Sequence, residues 1–277
     1  MSRNDKIKIA ILLFLWAVAF IPVYPEMVRD WLSHSDNSHG FLVPIMAGYF
    51  VWQRKEELRS AIIDSSRWGG ILLFLALAVY VLSYAGGLAF PSRVALVLSL
   101  MGLIWCCLGR ELTKILAFPV LFLLFMIPVP YSLMGTVSLP LQLMATRVSA
   151  NLIEACSIPV YREGNMLYFM NTQLEVAEAC SGIRSIMSLT MLAVIFASML
   201  RDGWEKRAIL VASAIPIAML ANIIRISGTG IMAHFFGDKV ARGFLHELSG
   251  IAIFVFGFVV LLGIYTIINR GKSEDVK

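Results

Sequence analysis

Apolar residues recur along the chain in eight runs, at 7–24, 40–52, 68–90, 94–108, 115–129, 183–200, 208–224 and 249–268. Most approach the ~20 residues that an α-helix needs to cross ~30 Å of hydrocarbon. The pattern predicts an all-α, polytopic integral membrane bundle with about eight transmembrane helices. The second and fifth runs are short, and Pro44 lies in the second, so tilted, broken and re-entrant forms stay open for both.

The segment 130–180, between the fifth and sixth runs, is too polar to span and too apolar to be a free loop. In "LPLQLMATRVSANLIEACSIPV", Leu143, Thr146, Val148 and Ile153 follow a loosely helical spacing. This predicts an amphipathic helix lying on, or dipping into, the outer surface. "YREGNMLYFMNTQLEVAEAC" alternates in character around a Glu-Gly-Asn turn, the pattern of a short hairpin. The two pieces would roof the bundle as an extracytoplasmic cap ahead of helix six. With no internal repeat or low-complexity linker, the chain reads as one integral membrane domain, 1–277.

Composition sharpens the class: 59% of the 277 residues are hydrophobic and 15% are charged, outside the balance of a soluble domain. The first run follows Arg3, Lys6 and Lys8 as a secretory signal would, but it ends in "FIPVYPE" without a small-residue cleavage site, which predicts a retained anchor. With the N-terminus inside, 15 of the 23 Lys and Arg residues fall on the cytoplasmic side. The inside then nets +6 and the outside −1, in line with the total of +5. Both termini are expected in the cytoplasm. The basic balance is thus a topology signal, and no soluble basic stretch with interleaved aromatics points to nucleic acid.

The four cysteines do not form a disulfide framework, and no pair has Cys-x-x-Cys spacing, so neither metal nor cofactor is expected. Cys106 and Cys107, in helix four, read as small buried hydrophobes. Cys156 lies outside, where a disulfide with Cys180 would silence both thiols.

Cys180 reaches the outer surface as helix six begins. The positive end of the helix dipole and Arg184 favour its thiolate, while Glu175 and Glu178 oppose it, leaving the sign of the net shift open. Helix seven, running outward, ends in "LANIIRISGTG", which places Arg225 at the same rim with Asn222 one turn earlier. Helix eight starts outside with "GFLHELSG", which adds His246. A thiol, a cation for a developing oxyanion and a proton carrier at one depth make the constellation of a thiol acyl-transferase. Singly, each has a plainer reading as packing cysteine, snorkelling arginine or interfacial histidine. His39, in "NSHGF" at the outer start of helix two, either orients substrate or caps the helix; capping is the simpler role. Two other classes compete: a transporter, which would place ionisable groups near the midplane, and a non-catalytic subunit of an exopolysaccharide export system.

"EVAEACSGIRS", "IPIAMLANIIRI" and "GFLHELSG" resemble motifs of the exosortase/archaeosortase membrane transpeptidases. "NSHGFLVPIMAGYFVW" and "PLQLMATRVSANLIEACSIPVYREGN" support the likeness, which runs over roughly residues 30 to 265. It implies an enzyme acting on exported proteins that carry a C-terminal sorting signal: a Pro-Glu-Pro-type motif, a transmembrane helix and a basic tail. It implies Cys180, Arg225 and His246 as catalytic residues, with Arg replacing the histidine in archaeal members. It also implies an acyl-enzyme on Cys180, passed to water or to an envelope acceptor, in a bacterial inner membrane with the active site facing the periplasm. The extra C-terminal soluble domain that some bacterial members carry is not expected in this chain.

The charge asymmetry makes a direct prediction. In intact cells, Ser35→Cys and Asp238→Cys should react with a membrane-impermeant thiol reagent, and Glu57→Cys and Asp202→Cys should not. Labelling at position 202 would overturn the orientation.

Overall fold

Helices make up nearly all of the computed structural model, which describes residues 3–170, 172–176, 182–200, 203–237 and 244–270. In order these are α1 (Arg3–Ala19), α2 (Val23–Ser33), α3 (Leu42–Gln53), α4 (Lys55–Ser60), α5 (Arg67–Ala85), α6 (Ala89–Phe122), α7 (Tyr131–Ala155), α8 (Ile183–Met199), α9 (Trp204–Phe236) and α10 (Phe244–Arg270). Short 3-10 turns cover Ser35–Phe41 and Leu123–Met126. Strands β1 (Tyr161–Glu163), β2 (Met166–Tyr168) and β3 (Gln173–Glu175) lie between α7 and α8. The fold is all-α and polytopic. Among the described residues four helices, α6 counted as one, are long and apolar enough to cross a membrane, and α1 with α2, bent by 63° across residues 20–22, brings the number to at most five. The chain divides into two units, Met1–Pro130 and Tyr131–Lys277.

In the first unit α6 is not a single straight rod. Arg93 Nη1 donates to Asp30 Oδ2 at 2.7 Å, and the neighbouring Trp31 donates from Nε1 to the Met126 carbonyl at 2.8 Å. Side chains of this reach keep Arg93 and Met126 within roughly 25 Å, whereas a straight helix would hold them about 50 Å apart. The chain therefore reverses, at Gly109, whose φ of 86° and ψ of −175° are non-helical. The limbs 89–108 and 110–126 are the fourth and fifth apolar runs of the sequence. A Cβ on Gly109 would lie 1.8 Å from the Asp64 carbonyl oxygen, so the reversal also requires contact that only glycine permits.

Backbone contact also fastens α5 to the first limb. A Cβ on Gly69 would meet the Cys106 nitrogen at 2.2 Å, and one on Gly102 the Leu73 nitrogen at 2.6 Å. Lipid offers apolar side chains no hydrophobic drive to associate, so such close approach at small residues is how helices adhere there. Trp16 Nε1 to Ser99 Oγ and Tyr80 Oη to the Ala19 carbonyl, both 2.9 Å, add α1 to this pair. α3, only 12 residues long, packs Phe50 edge-on against Phe118 and Phe122 of the second limb.

α9 is the spine of the second unit. Its first two thirds present Leu210, Ala214 and Ala218 to α8 and α10, burying Leu189, Ala193, Ala197 and Leu261. Its last third turns Ile223 and Ile226 to α7 and the sheet. "LANIIRISGTG" does not end this helix as the close of the seventh apolar run predicted; α9 runs on to Phe236. Gly230 lies inside the helix, and a Cβ there would lie 2.8 Å from Ile153 Cδ1, so the glycine lets α7 approach.

α7 buries a polar stripe, Ser138, Gln142, Thr146 and Ser149, together with Ala145, Ala150 and Ile153. Its exposed side mixes Val137, Leu139, Met144, Val148 and Leu152 with Arg147, Asn151 and Glu154, a surface fitted to the boundary between lipid and water. The expected hairpin is present and extended by one strand, giving an antiparallel meander in the order β1-β2-β3. Gly164 takes φ 59° in its two-residue turn.

Gly109→Ala should cost more than about 3 kcal/mol and most of the folded yield, since it combines a strained dihedral with a backbone clash. Gly87→Ala, at φ 68° with open space around it, should cost only about 1 kcal/mol. Thermal unfolding in detergent compares the two, and equal losses would contradict the reversal at Gly109.

Candidate active site

The second unit carries all three of the residues singled out by chemistry. Cys180 lies outside the described residues, as do Glu178 and Ser181. His246 falls in the first turn of α10, in a stretch whose side chains are not described. Arg225 is half-buried on α9. Counting from Trp204 at about 1.5 Å per residue, Arg225 stands about 32 Å along α9, close to the ~30 Å thickness of the hydrocarbon core. Beyond it α9 leaves the three-helix core and enters the one formed with α7 and the sheet.

Arg225 also continues a particular face. Ala214, Ala218 and Ala221 follow at helical spacing on the side that packs α8 and α10, and Arg225 is the next position of the same stripe. Where small side chains stop and a guanidinium begins, the α8 backbone arrives. Gly182 precedes α8 with φ 84°, and a Cβ on it would lie 3.3 Å from Asn222 Nδ2 and 3.4 Å from Asn222 Cβ. Asn222 is buried, one turn before Arg225. The segment that carries Cys180 therefore rejoins the described structure at the height of Asn222 and Arg225. α8 starts at Ile183, the first residue of the sixth apolar run, directly after Gly182 in its left-handed conformation.

The other end of that segment is held as well. Val176 is buried among α7, α9 and the sheet. Its N–H donates to the Asn165 carbonyl at 2.9 Å, and its own carbonyl accepts from Asn165 Nδ2 at 3.3 Å and from the buried Gln142 Nε2. Gln142 and Asn165 escaped the sequence reading. Only the placement of Gln142 on one face with Ser138 and Thr146 could have marked it.

α10 runs parallel to α8. A Cβ on Gly257 would meet Leu189 Cδ1 at 2.7 Å, and Phe196 stacks with Phe258 at 6.1 Å and Tyr265 at 5.3 Å. His246 lies eleven residues before Gly257 and Cys180 nine before Leu189 along their chains. Arg184 is exposed on α8, and Glu175 is exposed at the end of β3. Cys156 is a free, exposed thiol, while Cys106 and Cys107 belong to the first unit. His39 is also in the first unit, in the 3-10 turn, where its neighbour Gly40 is pressed on the Trp31 indole with a would-be Cβ at 2.2 Å from Nε1. No cluster of His, Cys, Asp and Glu among the described residues could hold a metal ion.

A protein-family model described as Transmembrane exosortase (Exosortase_EpsH) matches residues 31–263. Comparison with curated proteins and with solved structures yields no match.

Seating Gly182 on Asn222 has a measurable consequence. Gly182→Ala should cost about 1–2 kcal/mol, partly from its φ and partly from the amide it meets. In the double variant with Asn222→Ala the second part should vanish, giving a coupling of at least about 0.5 kcal/mol in a thermal-unfolding cycle. Strict additivity would mean that the two do not touch.

Proposed function

The chain belongs to the transmembrane exosortase family, and from that premise we propose that it is a cysteine-dependent peptidase or transpeptidase acting at the outer face of a bacterial inner membrane. Family membership carries the coarse statement, a multi-pass membrane protein with a transpeptidase-like role toward protein substrates. The observation that supports the finer reading is the close fit of Gly182 on Asn222. It places the described chain two residues after Cys180 one helical turn from Arg225. The parallel register of α8 and α10 favours His246 at a similar height. The family match spans both units, which supports reading 1–277 as one functional domain.

In this reading the substrate is an exported protein held in the bilayer by its own C-terminal helix, so its scissile peptide is presented at a fixed height and proximity is largely supplied by the membrane. The Cys180 thiolate attacks the scissile carbonyl carbon, and the negative charge that develops on oxygen is met by the Arg225 guanidinium. His246 gives a proton to the leaving amine as the C–N bond breaks. The thioester left on Cys180 is then attacked by water, giving hydrolysis, or by an amine of an envelope acceptor, giving transfer; either restores the thiol.

Cys180→Ala should leave a tagged protein ending in a Pro-Glu-Pro-type motif, a transmembrane helix and a basic tail uncut on co-expression. Cys106→Ala and Cys107→Ala should process it normally. Arg225→Lys should remain impaired about 100-fold or more, because a planar fork of donors is lost though the charge stays. Mass spectrometry of the product reads the cleavage site and any added group together, and normal processing by Cys180→Ala would end the thiol mechanism.

A further inference from the structure

The meander that leads into Cys180 has an open edge with a defined hydrogen-bonding register. β2 and β3 pair Met166 with Glu175, Leu167 with Leu174 and Tyr168 with Gln173. Just outside this ladder, the Phe169 N–H donates to the Thr172 carbonyl at 2.8 Å and the Val176 N–H to the Asn165 carbonyl at 2.9 Å. In an antiparallel pair, bonded and non-bonded positions alternate. Thr172, Leu174 and Val176 thus direct their N–H and C=O groups toward β2, while those of Gln173 and Glu175 point away from it. Among the described residues no strand lies on that side, since β3 ends the order β1-β2-β3. Both residues are exposed, and no described group bonds their outward N–H or C=O.

The same register places the edge at the candidate site. Leu174 and Val176 pack down onto Ile223 and Ile226, the residues that flank Arg225 on α9. The edge bears neither proline nor lysine, which commonly block strand addition. We propose, building on the peptidase reading above, that the polypeptide substrate binds as an added strand along β3. Its backbone pairs with Gln173 and Glu175, which holds an extended segment at the height of Arg225, a few residues from Cys180. Such pairing draws affinity from main-chain bonds and is tolerant of side-chain identity, as suits an enzyme with several protein substrates.

Proline separates this proposal from general damage to the sheet. Gln173→Pro deletes an N–H that the meander does not use, so the fold should keep its thermal midpoint while KM for the tagged substrate rises roughly tenfold at nearly constant kcat. The opposite edge supplies the control. In β1, Tyr161 and Glu163 pair inward with Tyr168 and Met166, leaving Arg162 facing outward. Arg162→Pro should therefore leave KM unchanged. A photo-crosslinking residue at position 173 in a Cys180→Ala background should capture the substrate, and one at 162 should not. An unchanged KM in a folded Gln173→Pro protein, equal effects of the two prolines, or capture at 162 in place of 173 would each overturn strand addition. Cleavage surviving Cys180→Ala would instead remove the peptidase reading on which it rests.

Discussion

The second unit depends on one helix being longer than the membrane is thick. α9 has 33 residues, about 50 Å, against a hydrocarbon core of ~30 Å. Its N-terminal length offers alanines to α8 and α10, and its C-terminal length offers Ile223, Ile226, Gly230 and Ala233 to α7 and the meander. Arg225 sits where one set of partners gives way to the other. A guanidinium near the end of a membrane span can remain at the interface, and here the protein that stands above the span closes around that same level.

Both units are assembled by contacts suited to an apolar solvent. The α5–α6 pairing at Gly69 and Gly102 and the α7–α9 pairing at Gly230 bring backbones or short side chains together where larger ones would collide. The polar stripe of α7 is spent inward: Thr146 bonds the Gln142 carbonyl, Ser149 the Ile223 carbonyl, and Gln142 the Val176 carbonyl. In lipid an unsatisfied polar group costs several kcal/mol, so inward bonding is the arrangement that leaves least exposed. One of these bonds anchors the strand that leads to the candidate nucleophile, and packing and site construction are here the same set of contacts.

The candidate site combines a rigid surround with a short connecting segment. Val176 is fixed by Gln142 and Asn165, and Gly182 is fixed by Asn222. Five residues, 177–181, join these two points along the chain, so the described structure bounds how far that segment can extend.

Much of this was legible in the order of residues. Eight apolar runs, a polar intermission before the sixth and the motifs around Cys180, Arg225 and His246 are local features, and local features follow from composition and spacing. The reversal at 109 was also implied, because runs four and five were separate. The end of α9 was not legible. The seventh apolar run closes at 224, and only Ile153 lying across α9 turns Gly230 into a packing surface. Nor could the sequence show which way α7 faces, since an amphipathic pattern records that two faces differ and is silent on which solvent each one meets. Likewise, the alternation of β3 is written in the chain, but which backbone groups point to the open edge depends on its pairing with β2. What the sequence determined by itself was therefore the all-α, polytopic membrane class and the apolar runs from which its helices form. Tertiary structure decided which backbones touch, because those contacts join residues far apart in the chain and depend on the absence of side chains as much as on their presence.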